Sequence, residues 1–361
     1  MSKVFVTGVA RGQDPQRTKK AIAEVFLKAS NDLSWLKKGD LVLLKPALNS
    51  PDPYPSTTDP LAVEAVAELI KERGGQVVVG DQSGIEHVIQ TERGVFRGDS
   101  ADNFLKSGMG RPGQHEFAAF EKGDWNGGFY NFKPEDGSQW PDGFWVTEWI
   151  RRADHIVNLP RLSTHSQAGV TLGFKNLVGL LREDSRMEFH ASGPMSVFPR
   201  LYAAGSGLKT GYGRQGDFWR KVTEISLAVR DRMRLTLFSG TRAQLTFGPD
   251  RKTVGVFSAK AVEPETGLVF ASADPVAAEA TAIAFMSFLY GQLPLSARML
   301  QKLLVAMNGK IGDLGRQPVW DNPFLRHALD LGLGERAVDL DMTDVPEGLV
   351  GEIGGRLGRL P

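Results

Sequence analysis

The sequence predicts an α/β protein: a mainly parallel sheet with helices on both faces and an aromatic- and glycine-rich insertion. Three observations carry that expectation: short, wholly apolar β-type runs, helical-period segments between them, and connections of only a few residues. Val4-Phe5-Val6 is the first β-type run, and Lys19 to Ala29 follows with Ile22, Val25 and Phe26 at helical spacing. Gly39-Asp40 marks a turn, and Leu41-Val42-Leu43-Leu44 reads as a strand buried on both sides. Thr58-Asp59-Pro60 is a helix start, with an acidic cap and proline at the first turn. Leu61, Val63, Val66, Leu69 and Ile70 form that helix's apolar stripe, Gly74-Gly75 ends it, and Gln76 to Gly80 is the next strand. Strand, helix, strand with short connections is the pattern of a parallel, right-handed crossover.

From about Glu92 to Gly143 the rhythm breaks into glycines and aromatics, among them Trp125, Phe129, Tyr130, Phe132 and Trp140. Residues 92–143 read as an insertion or covering flap within a 1–361 unit of one domain or two coupled lobes. Order returns with a helix at Val146 to Arg152, a strand at His155 to Leu159 and a helix beginning near Thr171. A last strand, Leu268 to Ala271, leads into an alanine-rich helix from Pro275 to Tyr290. The segment after Pro294 reads as helical and then as loop.

Composition narrows the function classes. The 361 residues carry 43 basic and 42 acidic side chains, a net charge of +1, which lacks the broad positive field of a nucleic-acid binder. There is no cysteine, which excludes disulfides, thiolate catalysis and cysteine-ligated zinc or iron–sulfur clusters within this chain. No run has the apolar length of a membrane span and the amino terminus lacks a secretory h-region, so the expected location is cytoplasmic, with no membrane partner. P-loop, dinucleotide-fingerprint, H-E-x-x-H and G-x-S-x-G motifs are all missing.

Four β runs end directly in polar residues: Lys45-Pro46 and Asn49 after the first, Asp81-Gln82-Ser83 after the second, Ser163-Thr164-His165 after the third, and Ser272-Ala273-Asp274 after the last. Ligands of parallel α/β sheets bind outside the carboxyl ends of the strands. If these strands share a sheet, the four segments converge on one edge.

Several of these residues belong to longer motifs. Asn158-Leu159-Pro160-Arg161-Leu162-Ser163-Thr164-His165, then Val170-Thr171-Leu172-Gly173-Phe174-Lys175-Asn176-Leu177-Val178-Gly179, together with Lys45-Pro46, Thr57 to Pro60, Gly80 to Gly84, Ser272 to Ala277 and Asn322-Pro323 through Gly334, resemble the domain-of-unknown-function-362 family. The likeness weakens over the Trp-rich segment and from Ser192 to Thr266. It implies positions and no reaction. Some members of that family carry ferredoxin-like cysteine motifs; this chain has none, so the iron–sulfur association is not transferred.

On residue chemistry, the expected catalytic groups are His165, Lys175 and Asp81. His165 titrates near neutrality and suits proton transfer or metal ligation, against the plainer reading of a loop histidine bonded to backbone. Lys175 lies about one turn into a predicted helix, where its ammonium and free backbone N–H groups could meet an anion; the alternative is a solvated lysine. Asp81 either pairs with His165, binds a divalent cation (the cofactor its position suggests, none being specified by a motif) or holds an Asx-turn. Expected substrate-binding residues are Lys45, Asn49, Asn176, His190 and Asp274. His190 would act with Arg182 and Arg186, and Asp274 is first of all a helix N-cap. The leading functional reading is an enzyme moving a proton on a small anionic molecule, carboxylate or phosphate. The other is a non-catalytic accessory protein docking to a redox partner, for which the cues are the association of the resembled family with ferredoxin modules and an exposed-looking Trp125, Trp140 and Trp145 group.

Overall fold

A computed structural model describes residues 1–135, 137–190, 197–208, 217–251, 253–254, 257–299, 302 and 313–358. Eight segments form one sheet: β1 (Ser2–Ala10), β2 (Leu41–Pro46), β3 (Gln76–Asp81), β4 (Glu116–Ala119), β5 (His155–Leu159), β6 (Met233–Gly240), β7 (Thr266–Ser272) and β8 (Val338–Thr343). Their spatial order is β8-β1-β7-β6-β5-β2-β3-β4. Every adjacent pair is parallel except the two made by β7, which runs against both β1 and β6.

The period of two along the strands divides the core into two layers. Val42, Leu44, Val77, Val79, Val157, Leu235 and Val269 face one layer, with Ile22, Val25 and Phe26 of α1 (Pro15–Ala29) and Val63, Val66 and Ile70 of α2 (Pro60–Glu72). Leu43, Val78, Ile156, Phe238, Leu268 and Phe270 face the other. There they pack on the nearly all-buried helix Pro275–Gly291 and the helices Pro323–Asp330 and Glu347–Arg356. Both proline-led starts form as the sequence indicates: Asp59 accepts from the Leu61 N–H at 3.0 Å, and Asp274 accepts from Val276 and Ala277 at 2.7 and 3.0 Å.

Some elements differ from the sequence reading. Strand β6 is absent from the sequence reading, because Arg232 just before it and Arg234 within it give the pattern of a solvated face. It is nevertheless an inner strand, and Arg232 and Arg234 spend their guanidinium groups on the Ala153 carbonyl and the His155 ring. Strand β8 emerges from a segment read as helix and loop, pairing with β1 through Asp-Leu-Asp-Met alternation. Part of the helix expected at 146–152 is instead the strand Phe144–Thr147, which pairs with Phe129–Phe132. Aromatic and β-branched residues favour that pleated surface over a helix. Within 92–143, β4 joins the main sheet beside β3. Part of the segment after Pro294 lies outside the described residues.

The tryptophans are not an exposed group. Trp140 is 2% exposed and donates its indole N–H to the Lys221 carbonyl. Trp125 is buried, and the Arg182 guanidinium stands 4.4 Å from its ring centroid and 3.8 Å from that of Trp145. Among the described residues no helix is long and apolar enough to cross a membrane.

Candidate functional site

The carboxyl ends of β5, β2 and β3 lie side by side, with Lys45 opposite Asn158 in the β2–β5 register. A small second sheet rises beside that edge: Ser163–His165 pairs antiparallel with Gly169–Thr171, and Ser163 also pairs with Gln244. Between these elements is a cavity of about 460 Å³. Asn49, Asp81, His165, Lys175, Asn176 and His190 all line it, joined by Arg161, Arg186 and an apolar side that includes Val178, Phe198, Tyr202 and Phe247.

Asp274 lies elsewhere. Because β7 is antiparallel, its carboxyl end is at the opposite edge of the sheet, where Asp274 accepts from the Ser2 hydroxyl at 2.5 Å and the Glu335 N–H at 2.8 Å. It caps its helix and has no place in the cavity.

Lys45 and Asp81 spend their charges on each other. Lys45 Nζ stands 2.7 Å from Asp81 Oδ1, with both side chains buried. Nζ also donates to the Pro46 carbonyl at 2.8 Å, and Asp81 accepts the N–H groups of Leu48 and Gln82, each at 2.8 Å. Burial pulls the Lys45 pKa down while Asp81 pushes it back up. Asp81 therefore pairs with Lys45, not His165, and Lys45 is no free anion holder. Gly179 is required here by close approach: a Cβ would sit 2.0 Å from Asp81 Oδ1 and 2.9 Å from Lys45 Nζ. Asn176 ties the floor together, donating to the Lys45 carbonyl at 3.0 Å and to Asn158 Oδ1 at 2.8 Å.

The helix start before Lys175 is already occupied from within. Glu279, reaching from Pro275–Gly291, accepts the Gly173 and Phe174 N–H groups at 2.7 and 3.3 Å. Burial outweighs those bonds and raises its carboxyl to about 8. The backbone N–H groups expected to receive a substrate anion thus have an internal acceptor.

The cationic side of the cavity is less satisfied. Arg161 is 2% exposed, and its Nε and Nη1 have no hydrogen-bond partner. Burial lowers its pKa to about 10 even with Asp250, Asp52 and Asp81 acting in the opposite sense. Arg186 donates from Nη2 to the Ser83 carbonyl at 2.7 Å and reaches Glu183 at 3.3 Å, leaving Nε without a partner. Glu183 itself is raised to about 7 by burial. Lys175 has no carboxylate partner among the described residues. Among those residues it is hydrogen-bonded to His190 Nε2 at 3.4 Å, and its pKa falls to about 7 through burial first and then the charges of Arg186 and Arg161.

The two histidines have defined tautomers. His190 Nδ1 is 2.8 Å from the Arg186 carbonyl and must donate to it, so Nε2 carries the lone pair that faces Lys175. Burial and the Lys175 charge push His190 well below the usual imidazole range. His165 accepts the Gln167 and Ala168 N–H groups at Nδ1, each at 3.1 Å, so the neutral ring has its proton on Nε2. At one margin Asn49 Nδ2 donates to Asp250, whose other oxygen is 3.0 Å from His87 Nε2. Glu86, His87 and Asp250 bring one ligand-type atom each within 4.8 Å of one another, the one such cluster among the described residues.

Sequence reasoning missed Arg161 and Arg186 as primary cations. Arg161 stands inside the quoted Asn158–His165 motif and follows a strand end directly, which was the available signal. Glu279 could not be singled out, since it looks like any polar residue in an alanine-rich helix.

Residues 42–284 match the family model "Domain of unknown function (DUF362)", and the chain belongs to that family. A thylakoid-associated protein of Synechocystis sp. is 29% identical over 160 residues, which is 44% of this chain and 44% of that relative. The chain thus matches less than half the length of this curated relative.

Proposed function

We propose that this DUF362 member is an enzyme that takes a small carboxylate- or phosphate-bearing molecule into the cavity and moves a proton on it. The observation that carries the reading is the buried Arg161 guanidinium with two unpartnered nitrogens on the cavity wall. An unpaired buried donor costs about 1–3 kcal/mol, more when charged, and an anionic ligand removes that cost. Arg161 and Arg186 hold the anion. Lys175 with His190, and His165 through Nε2, are the groups able to exchange a proton with it. Glu86, His87 and Asp250 form the one place for a divalent cation among the described residues.

The test is thermal shift and calorimetry of the full chain with inorganic phosphate, acetate, pyruvate and 2-oxoglutarate. A binder at about a hundredfold excess over Kd adds about 2.7 kcal/mol of stability. Arg161→Gln removes that gain while the fold is retained by circular dichroism. Absence of any response, or an equal response in the variant, overturns the proposal. The accessory-protein reading has lost its surface cue, because Trp125 and Trp140 are buried.

A further inference from the structure

We propose that the anion is an oxo acid and that Lys175 Nζ condenses with its carbonyl carbon to form a protonated imine. This rests on the anion-binding reading and adds to it a covalent step and a substrate class.

The geometry argues for a nucleophile over a point charge. A lysine that serves as an anion holder must stay charged, and stable buried ammonium groups are paired with carboxylates. Lys45, fully buried beside the cavity-lining Asp81, shows that arrangement. Lys175 has the reverse surroundings: two guanidinium groups near enough to act on its charge, the Phe218 ring at 5.9 Å, and a neutral imidazole as its hydrogen-bond partner. A cationic neighbourhood and burial are the two conditions that keep a lysine amine free for nucleophilic attack near neutral pH. His190 fixes the direction of attack. Its Nε2 lone pair accepts one amine N–H, so the nitrogen lone pair of Lys175 points away from His190. Lys175 and Arg161 line the same cavity, so a single ligand carrying both a carbonyl and a carboxylate can meet both.

The step balances within these groups. The amine lone pair forms the C–N bond as the carbonyl π pair moves to oxygen, and an amine proton passes to that oxygen. The resulting hydroxyl takes up one further proton and leaves as water, while the nitrogen lone pair makes C=N. Amine, carbonyl and one proton become iminium and water. That proton comes from solvent or from His165 as imidazolium, which lines the same cavity and returns to the neutral ring on giving it up. The iminium keeps one positive charge at the Lys175 nitrogen, and it serves as an electron sink for bond cleavage at the adjacent carbon.

The test uses the full-length protein with pyruvate or 2-oxoglutarate and sodium cyanoborohydride, followed by peptide mass mapping. At pH 7 about half of Lys175 is free amine, a fraction roughly a thousandfold above that of an ordinary lysine. The expected result is an acid-dependent adduct on the Lys175 peptide, formed at least about tenfold faster than on exposed lysines, with a rate that rises through neutral pH. Arg161→Gln abolishes the selectivity. Oxo-acid binding that depends on Arg161 without any Lys175 adduct overturns the imine and leaves the anion site standing. Adducts spread evenly over surface lysines overturn it too. No oxo-acid binding where phosphate or acetate still binds overturns the imine alone, and no response to any of the four anions removes the underlying reading along with it. The mapping is done on the natural sequence, so none of these outcomes depends on a Lys175 variant folding.

Discussion

Replacing Lys175 with methionine should stabilise the protein near pH 7, and the gain should disappear at alkaline pH. Lys175 sits at about 7 against an ordinary value of 10.5, chiefly because burial strips water from its ammonium. At about 1.4 kcal/mol per pH unit, that displacement is worth about 4–5 kcal/mol of destabilisation while the group is charged in both states. Between about 7 and 10.5 the unfolded chain holds the proton and the folded chain does not. Stability of the natural protein therefore rises with pH through that window, and below it the whole cost is present. Methionine has a similar length and no charge, but it leaves His190 Nε2 without its donor, which returns about 1–3 kcal/mol. The net expected gain at pH 7 is about 1–4 kcal/mol, crossing zero between about pH 8 and 10. Urea unfolding of both proteins at matched pH values from 6.5 to 10 measures the difference, and groups common to both cancel. A variant no more stable at pH 7, or a difference that does not change with pH, would refute the argument that Lys175 is held against its preference for charge.

Lys45→Met should cost about 3–5 kcal/mol, since it leaves Asp81 buried and uncompensated, whereas adding Asp81→Leu should recover most of that loss; a double variant as weak as the single one would show that the pair is not the cause. Glu279, held near 8 in the folded chain against an ordinary 4.5, binds a proton that the unfolded chain releases, so stability falls as pH rises from about 4.5 through 8. Glu279→Gln should flatten that slope in denaturant titrations, and an unchanged slope would count against it.

Much of the cavity's membership is legible in the chain. Asp81 and Arg161 stand at or just past the end of an apolar β run, as does Lys45, the ion partner of Asp81, and parallel strands deliver such residues to a common edge. The stretch from Asn158 to Gly179 then supplies His165, Lys175 and Asn176 from consecutive local elements. Charge partnership was not legible. Asp81 is 36 residues from Lys45 yet is its ion partner, and the Glu279 that occupies the Gly173 helix start arrives from a separate helix over a hundred residues away. The same limit explains the missed arginines, because whether a guanidinium is bonded or bare depends on every element around it.

The amino-acid sequence by itself determined the alternation of strands and helices, the proline-led caps at Asp59 and Asp274, the exclusion of thiol chemistry and the segments that carry the polar residues. These depend on neighbours a few positions apart, through backbone propensity, period and side-chain chemistry. Only the tertiary structure decided that β7 runs antiparallel and takes Asp274 to the far edge. It also decided that Lys45 is neutralised by Asp81, while two nitrogens of Arg161 have no partner and Lys175 meets an imidazole in place of a carboxylate among the described residues. Strand direction and burial are set by contacts between distant segments, and the cost of a charge is fixed by the water it loses there.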